Sequence, residues 1–186
     1  MPEGTGSRAV DRLHLDNDKT LTGAHLEIRV TNTGSILLIK NGLAAMFVAL
    51  VGGFMLTFSM LGGISLSPLP VFFGMEMPGT AAGWRAVHLG MLMNGIMAIV
   101  LGMAMRRLLV TERGERIVVW GTLIAVWGNF CFYLFSMFGQ NHGLSLGTNR
   151  LGEGNLAGAL AFVPALVGAV TLMTAIIILL RAEPAD

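Results

Sequence analysis

Charged residues are scarce in this sequence. Only 12% of its 186 residues are Asp, Glu, Lys or Arg, whereas about a quarter are charged in soluble globular domains. Hydrophobic residues make up 54% and the mean hydropathy is +0.70, which argues against a soluble protein and excludes disorder of the whole chain. A net charge of +1 without a basic stripe argues against a nucleic-acid-binding protein.

Cysteine and tyrosine occur once each, as Cys131 and Tyr133. A single cysteine cannot form a disulfide within the chain or a CxxC metal site. The long apolar stretches contain no carboxylate. This absence argues against a proton-relay pump and against a hydrolase that uses paired acids.

Four stretches without Asp, Glu, Lys or Arg are long enough to cross a bilayer, which takes about 20 apolar residues. Each is much too long for a β-strand. The sequence therefore predicts an all-α integral membrane protein, a bundle of four transmembrane helices formed by residues 42–181. The predicted spans are 42–66, 86–105, 117–138 and 156–180.

Basic residues cluster on one side of these spans. They precede the first span, lie between the second and third, and follow the fourth, whereas the other two connections carry only Arg85 and Arg150. Because Lys and Arg are enriched in cytoplasmic loops, both termini are expected in the cytoplasm. Residues 1–41 are then a polar, partly disordered cytoplasmic extension, and residues 182–186 a cytoplasmic tail. No basic segment runs directly into an apolar one, so no cleaved signal peptide is predicted.

Small residues in the spans are predicted to let helix backbones approach closely. The glycines predicted to act in this way are Gly52, Gly53, Gly62, Gly63, Gly90 and Gly95.

Few polar groups lie within the spans, and ionisable groups inside a membrane are usually functional. His88 and Asn94 lie in the second span, and Asn129 and Tyr133 lie in the third. With a rise of about 1.5 Å per residue, all four fall in the outer half of the bilayer. Asn129 and Tyr133 are four residues apart and share a helix face. His88 and Asn94 are about 240° apart around their helix and need not point into the same space within one subunit.

Each of these polar residues also has a purely structural interpretation. An interfacial histidine bonded to a carbonyl group would explain His88, and interhelical hydrogen bonds of about 0.6–2 kcal/mol would explain Asn94 and Asn129. Tyr133 fits an interfacial aromatic residue. A single histidine can also hold a haem iron on one side and leave the opposite position open. The residues alone do not choose among a haem, another metal and no cofactor.

Two strings of residues resemble the styrene oxide isomerase family. They are GWRAVHLGMLMNG, from Gly83 to Gly95, and WGNFCFYLFSMF, from Trp127 to Phe138. PGTAAGW, which overlaps the first string, and NHGLSLGTNRLGEGN, which follows the second, are similar to the same family. The resemblance covers about residues 40–180, the entire four-span region, and is therefore more specific than one short motif.

This resemblance implies a homotrimeric enzyme of the bacterial inner membrane, with a haem b held between subunits. His88 aligns with the axial ligand of the haem iron. Asn94 and Tyr133 align with residues that hold the epoxide, and Trp127 and Asn129 are expected beside the cofactor.

The implied reaction is the isomerisation of an aryl epoxide, styrene oxide, to the aldehyde phenylacetaldehyde. Ferric haem serves as the Lewis acid, the benzylic C–O bond opens, and a hydride moves to that carbon. The implied partners are the apolar epoxide, the bilayer, identical subunits and an upstream styrene monooxygenase. Two alternatives stay open, a membrane haem protein for electron transfer or sensing and a small transporter or assembly subunit without a cofactor.

Overall fold

Four helices dominate the computed structural model, which describes residues 33–185. They are α1 (Gly6–Leu61), described here from Thr33 onward, α2 (Ala81–Met105), α3 (Glu112–Ser136) and α4 (Leu156–Leu180). Each contains a stretch long and apolar enough to cross a membrane. Within the described range, strands are confined to two short antiparallel pairs, β1 (Gly63–Ser65) with β2 (Phe72–Gly74) and β3 (Leu108–Leu109) with β4 (Glu183–Pro184). The prediction of an all-α bundle with four apolar helices is confirmed.

Capping side chains determine where three of the helices begin. Thr80 accepts a hydrogen bond from the N–H of Gly83, and Thr111 accepts one from the N–H of Gly114. These N-caps satisfy amide groups that the first helical turn leaves unpaired. Helices α2 and α3 therefore begin before the predicted second and third spans. Asn155 caps α4, whose bounds match the prediction.

Helix α1 differs most from the predicted span. It ends at Leu61 instead of 66 because Gly62 adopts a φ of +70°, the left-handed conformation that commonly ends helices. A Cβ at Gly62 would meet nothing within 4 Å, so this glycine ends the helix and does not pack against a neighbour. Residues 33–41, predicted as the end of the polar extension, belong to this helix. The rest of the predicted extension, including its expected partial disorder, lies outside the described residues.

Residues 33–41 pack at the end of the bundle that carries Arg106, called here the basic end. Ser35 and Leu38 are fully buried. Ser35 donates a hydrogen bond to the carbonyl group of Gly102 on α2 and accepts one from Nε of Arg106 at 2.8 Å. These bonds join α1 to α2, so this segment is part of the bundle and not an appendage to it.

Glycines allow the closest contacts between antiparallel helices. A Cβ at Gly42 of α1 would lie 2.7 Å from the carbonyl oxygen of Gly95 on α2, and the reciprocal distance is also 2.7 Å. A Cβ at Gly121 of α3 would lie 2.7 Å from the carbonyl oxygen of Thr171 on α4. Because only glycine fits at such distances, these contacts determine how neighbouring helices are aligned along their axes.

The opposite end of the bundle, called here the loop end, carries an ordered loop built on Asn141. This side chain is fully buried and donates to the carbonyl groups of Ser145 at 2.8 Å and Gly147 at 3.1 Å. Its Oδ1 accepts a bond from the N–H of Gly143 at 3.1 Å. A Cβ at Gly158, in the first turn of α4, would clash with the same side chain. Asn141 therefore organises the loop between α3 and α4 and seats it on the start of α4.

Candidate functional site

His88 lies on α2 with its ring against α1. Its Nδ1 is 2.7 Å from the carbonyl oxygen of Ala49. A carbonyl oxygen can only accept a hydrogen bond, so Nδ1 carries a hydrogen, and in the neutral imidazole the lone pair is then on Nε2. A Cβ at Gly53 would lie 2.9 Å from Nδ1, which explains why the adjoining turn of α1 needs a glycine. Within the described range, no hydrogen bond occupies Nε2.

The surroundings of His88 fit a cofactor that brings its own ligands. No group of three or more His, Cys, Asp or Glu side chains is placed to hold a metal ion among residues 33–185. A bare ion would need several such ligands. A haem needs only one or two from the protein, and a histidine whose other ring nitrogen donates to a carbonyl group is the usual arrangement of an oriented ligand.

Asn94, Asn129 and Tyr133 form one hydrogen-bonded cluster between α2 and α3. Asn94 is 5% exposed, and its Oδ1 accepts a bond from Nδ2 of Asn129 at 2.9 Å. Nδ2 of Asn94 donates to the carbonyl oxygen of Gly90 at 2.8 Å and to the hydroxyl oxygen of Tyr133 at 3.3 Å. The structure thus joins the Asn129–Tyr133 face, which the sequence predicts, to Asn94 on the neighbouring helix.

Gly90 allows the Tyr133 ring to lie directly on α2. A Cβ at this position would be within 2.8 Å of Cδ2 of Tyr133 and closer still to Cε2 and Cζ. The Tyr133 hydroxyl accepts from Asn94, and in the described part of the chain no acceptor takes its own hydrogen. That hydrogen is available to an oxygen atom of a bound ligand.

Trp127 makes a separate contact with α1. Its Nε1 donates to Oδ1 of Asn41 at 3.2 Å, and its ring packs edge-on against Phe130 with 6.1 Å between the ring centroids. Trp127 and Asn129 are two positions apart on α3 and therefore point to different sides of the helix. Asn129 bonds to α2, whereas Trp127 bonds to α1.

The predicted site residues of one chain fall into three groups. His88 contacts α1, Asn94 contacts α3, and no hydrogen bond among the described residues joins the two. Trp127 forms the third group through its bond to α1. The angular separation of His88 and Asn94 expected from their spacing matches these contacts with two different helices.

Asn41 is a polar contact of Trp127 that no motif in the sequence indicates. It falls at the last position of the predicted extension, next to Lys40 and just before the charge-free run. The one feature of the sequence that could have indicated this contact is a polar amide side chain at the edge of a predicted span. The roles of Ala49 and Gly53 beside His88 carried no comparable signal, because they depend on the packing of α1 on α2.

Comparison with known proteins identifies the family of this chain. The family model described as styrene oxide isomerase matches residues 35–183, which include all four described helices from Ser35 onward. The chain belongs to the styrene oxide isomerase family. The predicted family is therefore confirmed, and every predicted site residue lies inside the matched region.

A relative from Pseudomonas fluorescens carries the name styrene-oxide isomerase. It is 30% identical to this chain over 141 residues, which cover 75% of this chain and 82% of the relative. Membership in the styrene oxide isomerase family indicates an isomerase. The four long apolar helices agree with a membrane location for it.

Proposed function

We propose that this protein isomerises an aryl epoxide, styrene oxide, to the corresponding aldehyde, phenylacetaldehyde. Family membership over residues 35–183 is the observation that carries the proposal. In the net reaction a benzylic C–O bond breaks, a hydride moves from the neighbouring carbon to the benzylic carbon, and a C=O bond forms. Atoms and electrons balance within the substrate, so the reaction needs no water and no external redox partner.

We propose ferric haem b as the cofactor, with Nε2 of His88 as its protein ligand. The bond from Nδ1 to Ala49 supports this assignment because it holds the ring in place and leaves Nε2 free. Trp127 and Asn129 would lie beside the cofactor, as the family resemblance implies. When bound, ferric haem would supply a Lewis acid that polarises the epoxide C–O bond.

The Tyr133 hydroxyl would donate a hydrogen bond to the epoxide oxygen. Its hydrogen is uncommitted among the described residues, and its oxygen is held by Asn94. Asn129 holds Asn94 in turn through the bond to its Oδ1. Such a prepositioned donor stabilises the charge that develops on oxygen and is typically worth about 10²–10³ in rate.

The composition of the site favours a hydride shift over proton removal. No Asp or Glu occurs from Ala81 to Met105 or from 117 to 152, so no carboxylate of these segments is available as a base. Apolar helices also exclude water, which would otherwise add to the opened epoxide. Both features support rearrangement to the aldehyde.

We further propose that the enzyme works as a homotrimer in the bacterial inner membrane. His88 bonds to α1 and the Asn94–Tyr133 pair bonds α2 to α3, and no hydrogen bond in the described range joins the two groups, which supports a site completed between subunits. An upstream styrene monooxygenase would supply the epoxide.

The absorption spectrum of the detergent-purified protein, measured together with its turnover of styrene oxide, tests the proposal. A Soret band and formation of phenylacetaldehyde while the iron stays ferric are expected, and His88→Ala should remove both. His142→Asn is the matched control, because His142 is exposed in the loop between α3 and α4 and its φ of +54° suits asparagine. Full activity without haem would overturn the proposed cofactor. A haem that cycles between oxidation states without converting the epoxide would favour the electron-transfer alternative.

A further inference from the structure

The side chain of Asn41 connects α1 to the Trp127 indole in a defined orientation. Its Nδ2 donates to the carbonyl oxygen of Leu37 at 3.0 Å, and its Oδ1 accepts from Nε1 of Trp127 at 3.2 Å. The carbonyl oxygen can only accept and the indole N–H can only donate. Both partners therefore require the same orientation of the amide, and exchanging its O and N atoms would break both bonds.

Asn41 is held where the helix backbones are in closest contact. It directly precedes Gly42, which touches Gly95 of α2, and Asn94 directly precedes Gly95. Trp127 directly precedes Gly128, where a Cβ would clash with the carbonyl oxygen of Pro164 on α4. The Asn41–Trp127 bond and the Asn94–Asn129 bond therefore lie at one level of the bundle. Through them α3 is bonded to α1 and to α2.

We propose that Asn41 is a positioning residue for the epoxide site, acting through the orientation of Trp127. This inference rests on the proposed function, in which Trp127 lies beside the cofactor. Trp127 is only half-buried, so part of its ring is left uncovered by its own chain. The ring has two polar or aromatic contacts that fix its orientation, the Asn41 bond and the edge of Phe130.

Loss of the Asn41 bond would leave the indole N–H without an acceptor in the described part of the chain. An unpaired N–H in an apolar environment is unfavourable, so the indole would turn towards another acceptor. The Phe130 contact alone does not specify where the N–H points. Removing Asn41 is therefore expected to change the environment of the indole while the packing of the helices stays the same.

Fluorine NMR of protein labelled with 5-fluorotryptophan reports directly on this contact. The chain has three tryptophans, so three signals are expected, and a Trp127→Phe variant assigns the one that belongs to Trp127. Asn41→Leu keeps the branched shape of the side chain but has no hydrogen-bonding group. It should shift the Trp127 signal and leave the other two in place. Thr174→Val is the matched control, because it removes one polar group from α4 whose hydrogen bond is local, to Val170.

Two functional measurements complete the test. Asn41→Leu should lower kcat for styrene oxide by about three- to 30-fold, the range expected for one interhelical hydrogen bond, and weaken haem binding in titrations of the apoprotein by a similar factor. In a Trp127→Phe background the same substitution should change either quantity less than about twofold, because a residue that acts through Trp127 has no effect once its partner is gone. Asn41→Gln keeps both the donor and the acceptor of the amide and should move the Trp127 signal less than Asn41→Leu does.

An unchanged Trp127 signal in Asn41→Leu would overturn the inference, and so would an equal loss of kcat with and without the indole. If both Asn41 variants fail to give a folded, monodisperse protein, Asn41 is a residue of the scaffold and the inference is also wrong. Failure of the proposed function would appear elsewhere, as a parent protein that has no Soret band and does not convert the epoxide.

Discussion

The packing of the Tyr133 ring on Gly90 gives a demanding test of the site geometry. In Gly90→Ala the new methyl group would be within 2.8 Å of Cδ2 of Tyr133 and closer to two other ring atoms. Carbon atoms in contact are normally about 3.5–4.0 Å apart, so the ring has to move by roughly 1 Å. The hydroxyl would move with it, away from Asn94, whose bond to Tyr133 is already 3.3 Å long.

The expected effects are on both stability and activity. Overpacking of this kind costs about 1–3 kcal/mol, and a displacement of about 1 Å at a positioned group can lower a rate by about 10²-fold. Gly90→Ala should therefore reduce the melting temperature in detergent and reduce epoxide turnover by about 10- to 100-fold. Haem content should fall little, because His88 contacts α1 and not Tyr133.

Gly147→Ala is the control for the chemical change itself. A Cβ at Gly147 would meet nothing within 4 Å, so the same added methyl group should leave melting temperature and turnover unchanged. In a Tyr133→Ala background, Gly90→Ala should no longer lower the melting temperature, because the clashing ring is gone. Normal turnover in Gly90→Ala, or an equal loss of stability with and without the ring, would refute the placement of Tyr133 on α2.

Three further substitutions test separate contacts. Tyr133→Phe should lower kcat by about 100-fold without changing the Soret band, because it keeps the ring and removes only the hydroxyl, which accepts from Asn94 and would donate to the epoxide; a loss of haem would assign Tyr133 to cofactor binding instead. Thr122→Val should leave the melting temperature unchanged or raise it, because the buried Thr122 hydroxyl has no partner among the described residues; a clear decrease would mean that the hydroxyl is used. Asn141→Leu should destabilise the protein by about 1–3 kcal/mol, since it leaves loop groups such as the Gly143 N–H without their buried partner. Thermal unfolding of Asn141→Leu in detergent measures this destabilisation, and an unchanged melting temperature would contradict the role of Asn141 in the loop.

The helix ends show where hydropathy stops being informative. A charge-free run reports which residues tolerate lipid, whereas a helix begins where a side chain satisfies its first amide groups. Thr80 and Thr111 do this outside the predicted spans, and Gly62 ends α1 inside one. The capping residues are visible in the sequence, but they are common enough that only the backbone conformation shows which of them act.

The glycines of the spans illustrate the same limit. Gly95 lies at a close backbone contact, as predicted, whereas Gly53 and Gly90 lie against side chains of neighbouring helices, and the pattern did not indicate what each one contacts. Two of them make room for predicted site residues, Gly53 for the His88 ring and Gly90 for the Tyr133 ring. Gly62 was predicted to pack in the same way, but it ends α1 instead.

The sequence alone determined the number of apolar helices, the approximate bounds of α2, α3 and α4, and the shared face of Asn129 and Tyr133. These features follow from transfer into lipid and from helical periodicity, which depend only on residues close together in the chain. Tertiary structure decided that Asn94 joins that face, that Ala49 orients His88, and that Asn41 holds Trp127. Those contacts depend on how far each helix is rotated and shifted against its neighbours. Backbone contacts between residues distant in sequence, such as Gly42 with Gly95, set that alignment.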